Sequence, residues 1–169
     1  MSLEKFCSWL QQTWLSQILQ GQSDATNWIV PAIQTIHILA IAVALSSMLI
    51  VTLRQLRILA TEQPLAAVGA RFLRVVWWAL PLLALTGSLL IIAEPMRSLG
   101  SAAFQLKMAL LAVGGTLTWI YHSVLARAPL RWERLASRPL GANVLAVVCL
   151  LIWISIIFAG RWIAYAPGQ

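Results

Sequence analysis

The chain has 169 residues, 60% of them hydrophobic and only 10% charged, against the roughly 25% charged residues usual in soluble domains. Its mean hydropathy is +0.83 and its formal net charge +7, which together point to an integral membrane protein and away from a soluble enzyme. The basic residues lie in short stretches between apolar runs and form no aromatic-basic stripe, so nucleic acid is not an expected partner.

Residues 1–27 are read as an interfacial helix followed by a linker. Phe6, Leu10, Trp14 and Ile18 recur at a spacing of four over residues 3–20, with Gln11, Gln12, Gln17 and Gln20 elsewhere around the helix. So many glutamines do not suit a signal peptide, and the pattern predicts an amphipathic helix lying on a membrane surface or docking a partner. Gly21 to Asn27 form the polar linker.

Residues 28–169 hold four apolar segments, about 28–52, 72–94, 104–126 and 143–165, each long enough for a helical crossing of about 20 residues. The expected fold is therefore all-α: an integral membrane four-helix bundle with an N-terminal amphipathic interfacial helix. Breaks fall at Glu62-Gln63-Pro64, at Glu94-Pro95, at Ala128-Pro129 and at Arg138-Pro139-Leu140-Gly141. Arg54, Arg57, Arg71 and Arg74 flank the first connection and Arg127, Arg131, Arg134 and Arg138 the third, eight of the twelve basic residues. The positive-inside rule then puts these loops in the cytoplasm and both termini outside, which is the periplasm for a bacterial inner membrane. On this topology Cys7 and Cys149 lie on opposite sides, so neither a disulfide nor a metal pair is expected.

Antiparallel spans bring the polar residues to one end. Gln34 and His37 lie in the outer half of the first helix, Glu94 at the outer end of the second, Lys107 at the outer start of the third, and Arg161 and Tyr165 in the last turns of the fourth. A charged group inside a span costs about 2.5–3.5 kcal/mol on insertion scales and usually faces a bundle interior or a wet cavity. These six residues are the candidate ligand-binding set, in an outward-facing polar pocket with an apolar floor. The faces assigned to it are Gln34, His37, Ala40, Ala44 and Ser47; Pro81, Ala84, Gly87, Ile91 and Glu94; Lys107, Leu111, Gly114 or Gly115, Thr118 and His122; and Asn143, Val147, Leu150, Ile154, Ile157, Arg161 and Tyr165. Plainer roles compete at several positions. Lys107 can snorkel to the surface, Glu94 can pair with Arg97, and His37 can make an interhelical hydrogen bond.

Two histidines invite a bis-histidine haem. His37 lies about 13 Å into its span and His122 about 13 Å deeper again, at 1.5 Å per residue, so they do not suit one iron. A haem b held by His37 alone, with Arg161 or Lys107 on the propionates, uses the same pocket, with His37 as metal ligand. So does a quinone, whose carbonyl needs a donor and a proton carrier such as His37. No GxSxG, HExxH or carboxylate pair suggests hydrolysis, and no inverted repeat or paired broken helices suggest a transporter.

The segments Pro31-x-x-Gln34-x-x-His37, Leu53-Arg54-x-x-Arg57, Glu94-Pro95 with Phe104-x-x-Lys107, and Gly160-Arg161-x-Ile163-Ala164-Tyr165 resemble the recurring pattern of an uncharacterised family of small four-helix bacterial inner-membrane proteins. The first helix is more distantly similar to the histidine-bearing first helices of copper-resistance-D-like and b-type-cytochrome-like membrane proteins. The closer resemblance implies the fold and groups Gln34, His37, Glu94, Lys107 and Arg161 into one site, with no activity attached. The chain is thus expected to be an accessory membrane subunit of a redox system, not an enzyme by itself, binding a quinone or haem. Its expected partners are the lipid bilayer, a periplasmic or membrane redox subunit docked through the N-terminal helix, and other copies of itself. A small transporter or a cofactor-free scaffold subunit is the alternative.

Overall fold

A computed structural model of the chain describes residues 3–20, 28–127 and 141–162, with seven helices among the described residues. The expected linker Gly21 to Asn27, the arginines 131, 134 and 138, and Tyr165 lie outside the described residues. Two short helices come first, α1 (Leu3–Gln11) and α2 (Trp14–Leu19). Four long helices follow, α3 (Ile29–Gln55), α4 (Leu65–Ala93), α6 (Ala102–Arg127) and α7 (Gly141–Trp162), with the single-turn α5 (Pro95–Leu99) between the second and third. The four long helices are each long and apolar enough to cross a membrane. They agree with the expected spans to within a few residues, except that α4 begins at Leu65 and so carries Arg71 and Arg74 inside the helix.

The long helices pack as a ring, α3 on α4, α4 on α6, α6 on α7 and α7 back on α3, with α3–α4 the most extensive pair. We call the end bearing α1, α2 and α5 upper and the opposite, arginine-rich end lower. The core sits in the lower half, where Met48, Val51, Leu65, Leu73, Val76, Tyr121, Ala146, Cys149, Trp153 and Ile156 form one buried cluster. Polar groups there pair across helices. Tyr121 Oη donates to Gln55 Oε1 at 3.1 Å, Gln55 Nε2 donates to Asn143 Oδ1 at 3.2 Å, and Trp153 Nε1 donates to Thr118 Oγ1 at 3.0 Å. Each bond satisfies a group that would cost about 1–3 kcal/mol if buried alone. Cys149 lies 3.5 Å from Thr118 Oγ1, and both cysteines are free and buried, Cys7 in α1 and Cys149 in α7.

Helix ends follow from local chemistry. At the foot of α3, Arg57 adopts a left-handed conformation (φ 60°), and the amides of Arg57 and Ile58 reach back to the carbonyls of Arg54 and Leu53. This is a Schellman closure with arginine where glycine is usual. Arg54 Nε then donates to the Gln63 carbonyl at 2.7 Å, fastening the turn that leads to α4. At the top, Glu94 ends α4 with a non-helical backbone (φ −134°, ψ 69°) ahead of Pro95, which disfavours helix in the residue before it.

The N-terminal segment departs from the single expected helix. Thr13 breaks it: its hydroxyl donates to the Leu10 carbonyl at 2.6 Å and accepts from the Ser16 amide at 3.4 Å, capping a second helix. Cys7, Ser16 and Leu19 form the docked face, while Trp14, from the expected apolar stripe, is 75% exposed. The docking is specific. Ser16 Oγ donates to the Ile92 carbonyl at 2.9 Å and Gln20 Nε2 to the Ala93 carbonyl at 3.1 Å, satisfying carbonyls that the end of α4 leaves without intrahelical partners. The glutamines read as a polar face thus include one that caps a neighbouring helix.

Candidate functional site

Packing changes along the bundle. None of the residues 29–39 of α3 and none of 102–113 of α6 is buried, and Thr86 is the one buried residue between 80 and 92 of α4. α3, α4 and α6 thus bury fewer side chains in this upper half than around the lower core, while Ile156 and Ala159 of α7 stay buried. His37 and Lys107, both half-buried, stand in this less buried half.

His37 is positioned by α3 and α4 together. Its Nδ1 lies 2.7 Å from Oγ1 of Thr86, which is only 4% exposed. The Thr86 hydroxyl donates in turn to the carbonyl of Leu82, one turn back, at 2.7 Å. Gly87, next along α4, leaves room for the ring: a Cβ there would stand 3.5 Å from His37 Cε1. The interhelical hydrogen bond weighed for His37 is therefore present, and its partner is a threonine absent from the expected face of α4.

Lys107 reaches across α6 to α7. A Cβ on Gly160 would lie 3.3 Å from Lys107 Nζ, so the ammonium rests against bare backbone beside Gly160. It makes no hydrogen bond or ion pair with another described residue, and it lies within electrostatic range of the His37 imidazole. The structure thus places one imidazole and one ammonium on opposite helices of the ring, α3 and α6, in its upper half.

The other expected site residues spread outward. Gln34 is exposed on α3, one turn above His37, and Glu94 is exposed at the end of α4, eight residues beyond Thr86. Arg161 is exposed beside Gly160. The faces explain the spread. On α4 the buried positions from Leu73 onward are Leu73, Val76, Ala79, Thr86 and Ala93, whereas Pro81 and Ala84 of the expected face are exposed. On α7 the buried positions are Ala146, Cys149, Trp153, Ile156 and Ala159, one residue round from the expected Asn143-Val147-Leu150-Ile154 row. On α3 and α6 the expected faces meet the interior through Ala40, Ala44, Ser47, Gly114 and Thr118.

His122 belongs elsewhere. It packs edge-to-face against Trp77, ring centroids 6.2 Å apart, and Trp77 is nine residues below Thr86 on α4, about 13 Å at 1.5 Å per residue. The two histidines cannot ligate one iron. Among the described residues no group of three or more histidine, cysteine or carboxylate side chains could hold a metal ion.

The family model of DUF6644, a family of unknown function, matches residues 6–166, and the chain belongs to that family. No curated protein and no solved structure matches it.

Proposed function

We propose that this protein crosses a bacterial inner membrane four times with both termini periplasmic, and that it serves as an accessory subunit of a redox system by holding a quinone in the upper half of its bundle. The observation that carries this reading is the coincidence of sparse burial with the His37 and Lys107 pair. A tightly packed bundle would bury these groups at a net cost, whereas a bundle less buried at that level offers them a ligand. A quinone fits the chemistry: two oxygens that accept hydrogen bonds, a flat ring, and an isoprenoid tail that suits aliphatic walls. Lys107 supplies a cationic donor to one oxygen and His37 a proton-exchanging partner to the other.

Membrane placement is supported by the outward faces, which are apolar on every long helix, with Ile38, Leu39, Trp78, Leu85, Leu106 and Phe158 all exposed. In water such a belt would be an aggregation surface. The orientation is supported by Arg54, Arg57, Arg71, Arg74 and Arg127 at the lower end. Exposed Trp9, Trp14, Trp28 and Trp162 then mark the upper boundary between lipid and water.

The test is a titration of detergent-purified protein with a short-chain ubiquinone, followed by tryptophan fluorescence. Saturable binding is expected in the wild type, weakened at least about tenfold in Lys107→Met through the loss of one charge-assisted hydrogen bond made in a dry site. Absence of saturable binding to the wild type would sink the proposal.

A further inference from the structure

The hydrogen-bond chain at His37 carries more than position. A threonine hydroxyl has one proton, and at Thr86 the backbone carbonyl of Leu82 stands 2.7 Å from Oγ1 while the carbonyl of Leu83 stands 3.4 Å away. If that proton pointed to His37 instead, Oγ1 and the Leu82 oxygen would face each other at 2.7 Å lone pair to lone pair. The proton therefore goes to Leu82, and Oγ1 is left as an acceptor toward His37 Nδ1 at 2.7 Å. The neutral imidazole must carry its hydrogen on Nδ1, so its basic lone pair is on Nε2. No hydrogen bond from Nε2 to another described residue is formed.

We infer that Thr86 is a specificity-determining positioning residue: it locks His37 as a hydrogen-bond acceptor at Nε2, and the site therefore prefers the hydroxyl-bearing, reduced form of its ligand, a hydroquinone, over the oxidised quinone. This rests on the quinone reading and deepens it. A hydroquinone O–H donates to Nε2 directly. A quinone carbonyl in the same place can only accept, and it meets a lone pair unless His37 first takes up a proton. Lys107 does not discriminate, because its ammonium donates equally well to a carbonyl or a phenolic oxygen. The direction of preference is thus set by one buried side chain on α4 that touches no ligand.

The test compares affinities of the detergent-purified full chain for a short-chain ubiquinol, kept reduced under anaerobic conditions, and for the matching ubiquinone. The wild type is expected to bind the quinol about tenfold more tightly, the effect of one matched hydrogen bond against one mismatched. In Thr86→Val the preference should fall to near unity, because the ring can then carry its hydrogen on either nitrogen, while Thr86→Ser should restore it. Histidine nitrogen NMR of the His122→Gln protein should show the hydrogen on Nδ1 of His37 in the threonine and serine forms. Equal wild-type affinities for the two forms, or a hydrogen on Nε2, would overturn the inference and leave the quinone site standing. Failure to bind either form would overturn the quinone reading itself.

Discussion

Lys107 and Thr86 show at the scale of single residues what a sequence reveals and what it hides. Lys107 is visible because a cation early in an apolar run has few comfortable places. Thr86 is hidden because threonine in a helix commonly bonds back to its own chain, as Thr35 and Thr116 do here. Nothing in Leu83-Ala84-Leu85-Thr86-Gly87 separates the one threonine that also meets a histidine. The half-buried ammonium of Lys107 has no carboxylate partner among the described residues, so its burial is uncompensated in the free fold, and on the proposed reading a ligand oxygen supplies the partner. Lys107→Met, of similar length, is expected to raise the stability of the unliganded protein by about 1 kcal/mol and to weaken short-chain quinone binding. Thermal unfolding in detergent beside a quinone titration checks both, and a destabilised variant that still binds would show that the lysine is structural.

Between elements, closeness is decided by a few small residues. Gly114 of α6 faces α7 so closely that a Cβ would stand 3.0 Å from Ile152 Cγ2, whereas a Cβ on Gly115 would have nothing within 4 Å. The two adjacent glycines, both compatible in sequence with self-association, thus divide: Gly114 serves packing within the chain. Gly114→Val is expected to cost about 1–3 kcal/mol by overpacking. Gly115→Ala is expected to be neutral or to stabilise by up to about 1 kcal/mol through helix propensity. Equal melting temperatures for the two variants would contradict the α6–α7 interface. That interface also shows why helix faces were only partly legible. The long helices are apolar nearly all round, so hydrophobic periodicity barely selects a side. On α3 and α6 small residues such as Ala40, Ala44 and Gly114 point inward and reveal it. On α7 the row through Arg161 follows the polar end, while Ala146, Cys149 and Ala159 turn the true interior by one residue. The break at Thr13 was hidden for a related reason, since the aromatic spacing of four continues through it while the docked face changes.

As a whole the molecule is a bundle whose buried cluster lies toward its arginine-rich end, with α1 and α2 docked at the other. The number and extent of the long helices were legible, because runs of about 20 apolar residues admit few alternatives. The grading of burial along the axis was not, because it depends on which side chains from four separate segments meet. The proposed orientation is open to a direct check. Alkaline phosphatase fused after Gln169 should be active and a fluorescent protein fused there dark, and the reverse pattern would turn the polar end to the cytoplasm.

The central claim, that the upper half holds a quinone between His37 and Lys107, is tested most directly by what the protein carries when purified. We would record its ultraviolet–visible spectrum in detergent, oxidised and then dithionite-reduced, and extract the same sample with organic solvent for quinone. The account predicts no Soret band and an extract containing quinone that is lost from His37→Ala. A Soret band with a reduced α-band, or a colourless wild-type protein whose extract holds no quinone, would contradict it.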